Sequence, residues 1–196
     1  MSFPTDLYPF APIPKETTEH FSSVPWCRRY LEDQCLHPFP SESRIRKKST
    51  RHTLTAITLQ TPDTMPFVQL LYSPPSPSRP FGEIKCLLSL GTLVNGHVDI
   101  AHGGFMGVLL DDLIGCAAHT ATVGDGDQAR LTAYLNITYR KPVRTPGVVL
   151  GRSWVERREG RKVFGKATIE DGKGMVLTSA EGLFVSVDVE KLRGKL

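Results

Sequence analysis

The first 81 residues of this 196-residue chain contain no glycine. All 17 glycines lie at or after Gly82, while thirteen of the 15 prolines precede residue 81. The four cysteines, Cys27, Cys35, Cys86 and Cys116, form no CxxC pair. That argues against a disulfide framework or a metal centre and makes a reducing compartment the default. No apolar run is long enough to span a bilayer, because Phe105 to Ala118 is interrupted by Asp111 and Asp112. The N-terminal stretch MSFPTDLYPFAPIPKE has neither the basic and apolar regions of a secretory signal nor the Arg-rich, acid-poor character of a transit peptide. The expectation is therefore an intracellular protein, cytoplasmic by default. Charge of one sign is also scarce: the net charge is +4, and no groove-binding motif points to nucleic acid.

The segregation of proline from glycine divides the chain. Proline-rich stretches disfavour helix interiors and central strands, and glycines between apolar runs mark tight turns and close backbone approaches. The division predicts an N-terminal extension over residues 1–52 that wraps or docks, and a main domain over residues 53–190. Within the extension, SSVPWCRRYLEDQCL predicts a short helix capped by Ser22 or Ser23, with Pro25 in its first turn. The basic run Arg44 to His52 reads as a solvated linker.

In the main domain, LTAITLQ, FVQLLY and FGEIKCLLSLGTL read as strands. AHGGFMGVLLDDLIGCAAHTA is the one long helix, ending before the turn signal GDGD. In ARLTAYLNITY, Leu131, Ala133, Leu135, Ile137 and Tyr139 alternate with Thr132, Tyr134, Asn136 and Thr138, the period of a strand; this puts Thr132 on the polar face with Asn136. GVVLGRSWVE, KVFGKATIE and MVLTSAEGLFVSV follow, separated by the hairpin-like REGR and DGKG. The expected fold is α+β: an antiparallel sheet wrapped around one helix that is apolar nearly all round.

That helix carries two adjacent carboxylates, Asp111 and Asp112. Aspartate is a poor residue for a helix interior, and burying its charge unpaired is costly. The two point about 100° apart, so both do not easily reach one exposed edge. At the helix start, His102-Gly103-Gly104 offers unencumbered backbone N–H groups at the positive end of the dipole, suited to a developing oxyanion. His97, Asp99 and His102 make a poor metal set, with no fourth ligand nearby.

NGHVDIAHGGFMGVLLDD followed by TAYLNITYRKPV resembles the hotdog-fold acyl-CoA thioesterases. It is most similar to the branch containing the phenylacetate-pathway enzymes and the mammalian thioesterase-superfamily members. The resemblance covers about residues 82–188. It implies a hotdog fold, hydrolysis of an acyl-CoA, and no cofactor beyond the coenzyme A of the substrate. The family's acid falls on Asp111, nine residues after His102, as general base or nucleophile. The amide that polarises the thioester carbonyl falls on Gly103, beside Gly104, and the supporting hydroxyl on Thr132. Asp112 inherits no family role, and His102 is expected to orient the loop before the helix. Where many members carry an asparagine six residues before this histidine, this chain has Gly96, with Asn95 one position further back as the substrate contact.

Nine Lys or Arg against two Glu lie between Arg140 and Lys166. Of these, Arg140, Lys141 and Arg144, and then Arg157, Arg158, Arg161 and Lys162, are placed to hold the phosphates of coenzyme A. Gly103 and Asp111 are eight residues apart, roughly 12 Å along one helix, so a site using both needs two chains. A homodimer, or a dimer of such dimers, is the expected assembly. Two other readings remain on the same fold. One is a non-catalytic acyl-CoA-binding or regulatory protein. The other is an acyl-CoA hydratase, whose D-x-x-x-x-H pattern is not met because Cys116 lies five residues after Asp111.

Overall fold

A computed structural model describes residues 12–125 and 128–188. After Pro12 and Pro14 the described chain forms α1 (Lys15–Ser22) and a single turn, α2 (Arg28–Leu31). The expected short helix in SSVPWCRRYLEDQCL is reduced to the single turn α2. The longer helix lies earlier, neither helix has a serine N-cap, the Ser23 hydroxyl instead donates to His20 O at 2.6 Å at the end of α1, and Pro25 sits in the turn between them. The apolar positions still converge: Phe21 and Cys27 are fully buried against Leu87 and Leu150, flanked by Trp26 and Leu31.

Seven strands form one antiparallel sheet in the order β1-β2-β3-β7-β8-β9-β6. They are β1 (His37–Phe39), β2 (Val68–Ser73), β3 (Glu83–Leu90), β6 (Gln128–Tyr139), β7 (Gly147–Glu159), β8 (Lys162–Glu170) and β9 (Val176–Asp188). A two-stranded ribbon, β4 (Asn95–His97) with β5 (Ile100–Ala101), precedes the central helix α3 (Gly103–Ala121). β7, β8 and β9 are the expected meander. The turns fit it: Gly160 and Gly174 have positive φ, and the Asp171 carboxylate accepts the Lys173 and Met175 amides at 2.9 and 2.8 Å. β6 pairs with β9 rather than β7, so residues 140–146 cross the start of α3. Of GDGD, Gly126 and Asp127 lie outside the described residues, as do residues 189–190.

α3 packs one face on the sheet through Phe105, Met106, Leu109, Leu110, Leu113, Ile114, Ala117 and Ala118, all buried. Pairs at this spacing make a stripe four residues in period. Close packing fixes glycines beneath it. A Cβ on Gly165 would stand 2.6 Å from Ile114 Cγ2. The other stripe of α3, including Val108, Asp111, Asp112, Gly115, Cys116 and His119, borders a cavity. Gly107, Asp111 and Gly115 on that side also meet β6 and β9, through Ile137, Thr132 and Phe184.

The N-terminal segment passes around an edge of the sheet. Successive β3 residues face opposite sides: Leu87 meets α1, while Cys86 and Leu88 join the core under α3. β1 then pairs with β2 at the edge, and residues 41–59 return on the α3 side. Here LTAITLQ is not a strand. Leu54–Thr58 is a π-helical turn that buries Thr55, Ala56 and Leu59 and exposes Leu54 and Ile57. The β-branched composition favours a strand, but packing of one helical face against the core decides the outcome. The basic run is not a free linker either: the Arg44 guanidinium donates to Met65 O at 2.8 Å, and Arg51 and His52 border the cavity. Among the described residues no helix is long and apolar enough to cross a membrane.

Candidate active site

α3 begins at a histidine cap. His102 has extended backbone dihedrals, and its Nδ1 accepts the Gly104 N–H at 2.9 Å, as an N-cap side chain does. Nδ1 is thus an acceptor, and a neutral His102 carries its proton on Nε2. The Gly104 amide is occupied by this bond. Gly103 is the first helical residue, whose N–H has no partner within a helix. Its carbonyl accepts from the Tyr139 hydroxyl at 2.8 Å, which fastens the end of β6 to the start of α3.

Asn95 lies beside this start, because β4 pairs Asn95 with Ala101 and Gly96 packs on His102. A Cβ on Gly96 would stand 2.9 Å from His102 Cδ2, so the asparagine common at this position would collide. The register of the β4–β5 ribbon shifts between Asn95 and His97, as an extra residue in a strand does. The Asn95 side-chain oxygen accepts the Thr145 hydroxyl.

Two turns into α3, the Thr132 hydroxyl donates to Asp111 Oδ1 at 2.8 Å. Strict alternation would turn Thr132 away from the helix, but the β6–β9 register shifts between Thr132 and Tyr134. The bulge puts Thr132 on the helix side together with Leu135 and Ile137, correcting the polar-face assignment. Burial raises the Asp111 pKa above the ordinary carboxylate value, and the Thr132 hydrogen bond pulls against that rise.

Asp112 diverges toward the opposite wall, where Ser43 Oγ donates to its Oδ2 at 2.9 Å. It is open to the cavity yet ringed by protein, and burial raises its pKa too, opposed by the Ser43 bond and by nearby His52 and Arg44. Both carboxylates border one cavity of about 540 Å³. The 100° between them separates their partners but does not keep either from the shared space.

The cavity is apolar along Val68, Leu70, Leu88, Leu109, Leu113 and Phe184. At its far end His119 Nδ1 lies 2.8 Å from an Arg130 guanidinium nitrogen; burial, aided by Arg130, lowers the His119 pKa to about 4 and keeps the ring neutral. Ser43, Thr55, His52 and Arg130 carry no signal in the sequence for a place in this cavity. Asp112 does, since a carboxylate in an apolar helix requires a partner.

The basic residues fall into two groups. Arg140, Lys141 and Arg144 are exposed near the start of α3, where Ala101 N–H bonds Val143 O and Ile100 bridges Arg144. Arg158 instead holds the other end of α3, donating to Ala121 O at 3.0 Å and pairing with Asp125. Arg157 covers Phe164 and pairs with Glu159, while Arg161 and Lys162 are exposed. Within one chain the groups are separated by the length of α3, roughly 27 Å at 1.5 Å per residue.

Residues 99–178 match the family model described as the thioesterase superfamily. The chain is 33% identical over 109 residues to acyl-coenzyme A thioesterase THEM4 of Rattus norvegicus, covering 55% of this chain and 45% of that protein. It is 34% identical over 102 residues to THEM4 of Mus musculus, covering 52% and 42%. The chain thus spans less than half the length of these two curated relatives. A crystal structure described as a thioesterase superfamily protein superposes with a TM-score of 0.51 at 26% identity, over 61% of this chain and 56% of that one. Zebrafish thioesterase superfamily member 2 shares the fold, with a TM-score of 0.56 at 14% identity over 76% and 93%.

Proposed function

We propose that this thioesterase-superfamily, hotdog-fold chain hydrolyses an acyl-CoA to the free acid and coenzyme A. The observation that carries the reading is the Thr132–Asp111 pair at 2.8 Å on the rim of a largely apolar cavity of about 540 Å³. A volume of this size suits a small ligand or an acyl group. A metal-free hydrolysis needs a base, an oxyanion donor and an apolar acyl site, and α3 carries residues for all three.

In this reading the Gly103 N–H and the dipole of α3 stabilise the charge that develops on the thioester oxygen. Asp111 accepts a proton as water attacks the carbonyl carbon. The C–S bond then breaks and the leaving thiolate takes a proton, which gives the acid and the thiol. A raised pKa makes Asp111 a stronger base than an exposed carboxylate. Thr132 fixes the orientation of the carboxylate, leaving Oδ2 for the water.

Gly103 and Asp111 of one helix are too far apart for one carbonyl, so the site is shared across a homodimer with antiparallel α3 helices. The same arrangement brings the partner's far end of α3, with its basic turn, toward the helix start where Arg140 and Lys141 lie. That reunites the two groups separated within one chain around the phosphates of one coenzyme A. The test is thiol release from acyl-CoAs of short, long and aromatic acyl groups. Turnover of at least one supports the proposal; none across the panel, from folded protein, overturns it.

A further inference from the structure

The outer wall of the cavity is made neither by α3 nor by the strands of the sheet. Residues 41–59 supply it, bringing Ser43, His52 and Thr55 to the same cavity that Val68, Leu88 and Phe184 line. Ser43 is the node of this segment. Its hydroxyl donates to Asp112 Oδ2 at 2.9 Å and lies 3.1 Å from Ser41 Oγ, while its carbonyl accepts from the buried Thr55 hydroxyl at 2.5 Å. Leu59 and Met65 anchor the following residues in the core. The Ser43–Asp112 bond thus ties the segment to the middle of α3, one residue beyond Asp111.

A wall needed only for burial would place an apolar residue at position 112, since aspartate disfavours helix interiors and desolvation penalises its charge. A carboxylate there gains a charge-assisted hydrogen bond with a defined direction. That bond fixes the distance between the segment and the helix, and hence the width of the space beside Asp111.

We propose that Ser43 and Asp112 form a specificity latch, which holds residues 41–59 as the outer wall of the acyl cavity and so sets which acyl groups are accepted. The proposal rests on the acyl-CoA reading of the cavity. Asp112 is a positioning residue in it: it acts through Ser43 and takes no part in the chemistry. An acyl group reaching past Asp111 meets this wall, whereas an acetyl group ends before it.

The full chain with Ser43→Ala, Ser43→Thr or Asp112→Ala is compared with wild type in two measurements. Hydrogen exchange over residues 41–59 reads the latch itself. kcat and KM for acetyl-CoA and for long-chain acyl-CoAs read its consequence. In Ser43→Ala and Asp112→Ala, exchange in the segment rises about tenfold or more, as expected for losing a hydrogen bond to a charged group. KM for long acyl groups rises about five- to tenfold with kcat changing less, so the preference between long and short substrates narrows. Ser43→Thr, which keeps the hydroxyl, restores both. The double variant Ser43→Ala with Asp112→Ala is no worse than either single one, because both remove the same bond.

Unchanged exchange in Ser43→Ala overturns the latch. Raised exchange with an unchanged chain-length preference overturns its role in specificity. If wild type hydrolyses none of the panel, the proposed function fails first. The latch is then judged by binding of a non-hydrolysable thioether analogue of a long acyl-CoA. Weaker binding by Ser43→Ala and recovery by Ser43→Thr sustain it; equal binding by all variants overturns it.

Discussion

Asp111 and Asp112 are neighbours of one residue type on one helix, yet they look toward different parts of the chain. Asp111 meets Thr132 of β6, inside the region that matches the thioesterase superfamily. Asp112 meets Ser43 of the N-terminal segment, outside that region. Burial raises both carboxylates, and in each case a hydroxyl hydrogen bond opposes the rise, joined at Asp112 by nearby His52 and Arg44. The difference lies in what holds each hydroxyl. Thr132 is fixed by a bulged strand in a seven-stranded sheet, whereas Ser43 sits on a turn held by a few hydrogen bonds and apolar anchors. Rigid elements place reacting groups, and segments outside them shape the space around those groups.

The largest effect that can break this comparison comes from mixing two inactive variants. Asp111→Asn cannot act as a base and should lower kcat by roughly 10²- to 10⁴-fold. Gly103→Pro removes the amide donor at the first helical position, which tolerates proline. In a freely exchanging equal mixture about half the dimers are mixed, and each has one intact site, so about a quarter of wild-type activity returns. Verified mixed dimers with no recovery would refute the shared site.

Thr132→Val should have a smaller effect, a loss of about tenfold, as for one hydrogen bond to a charged group. It also carries a pH signature. The bond lowers the Asp111 pKa, so removing it raises that value, and the acid limb of the kcat/KM profile moves to higher pH. A limb that stays in place would detach Thr132 from Asp111.

Arg161→Ala with Lys162→Ala should raise KM for acyl-CoA several-fold and weaken its salt dependence. A short thioester without the nucleotide should be hydrolysed as before. Equal losses on both substrates would assign these residues to folding.

The smallest effect is on stability. Asp111 has a folded pKa above its unfolded value, so its contribution to stability is present at low pH and is lost as pH rises through the folded pKa. Asp111→Asn should therefore melt higher than wild type at neutral pH, with the gap closing as pH falls toward 4. Parallel melting curves across that range would show that burial imposes no cost on the carboxylate.

Much of this architecture was legible where local and tertiary preferences agree. The glycine-led, apolar α3 and the turns at Gly160 and Gly174 follow from backbone chemistry. Legibility failed where packing overrode local preference. LTAITLQ has strand composition, yet Thr55, Ala56 and Leu59 satisfy the core only from a helical face. Strict alternation puts Thr132 on the face away from the helix because a bulge leaves no trace in an alternating pattern. The pairing of Ser43 with Asp112 is not legible because 69 residues separate them and Ser43 sits in no motif. The need for a partner at Asp112 was readable; its identity depended on the path of the N-terminal segment.

The most direct test of the division between the two carboxylates is the acyl-chain profile of Asp111→Asn and Asp112→Ala, measured side by side by thiol release. Asp111→Asn should lower kcat by a similar factor for every acyl length and leave the order of preference intact. Asp112→Ala should retain most of kcat while raising KM for long acyl groups about five- to tenfold, flattening the profile. If both variants lose kcat equally at all lengths, or if Asp111→Asn alone changes the preference, the assignment of chemistry to one carboxylate and selectivity to the other is wrong.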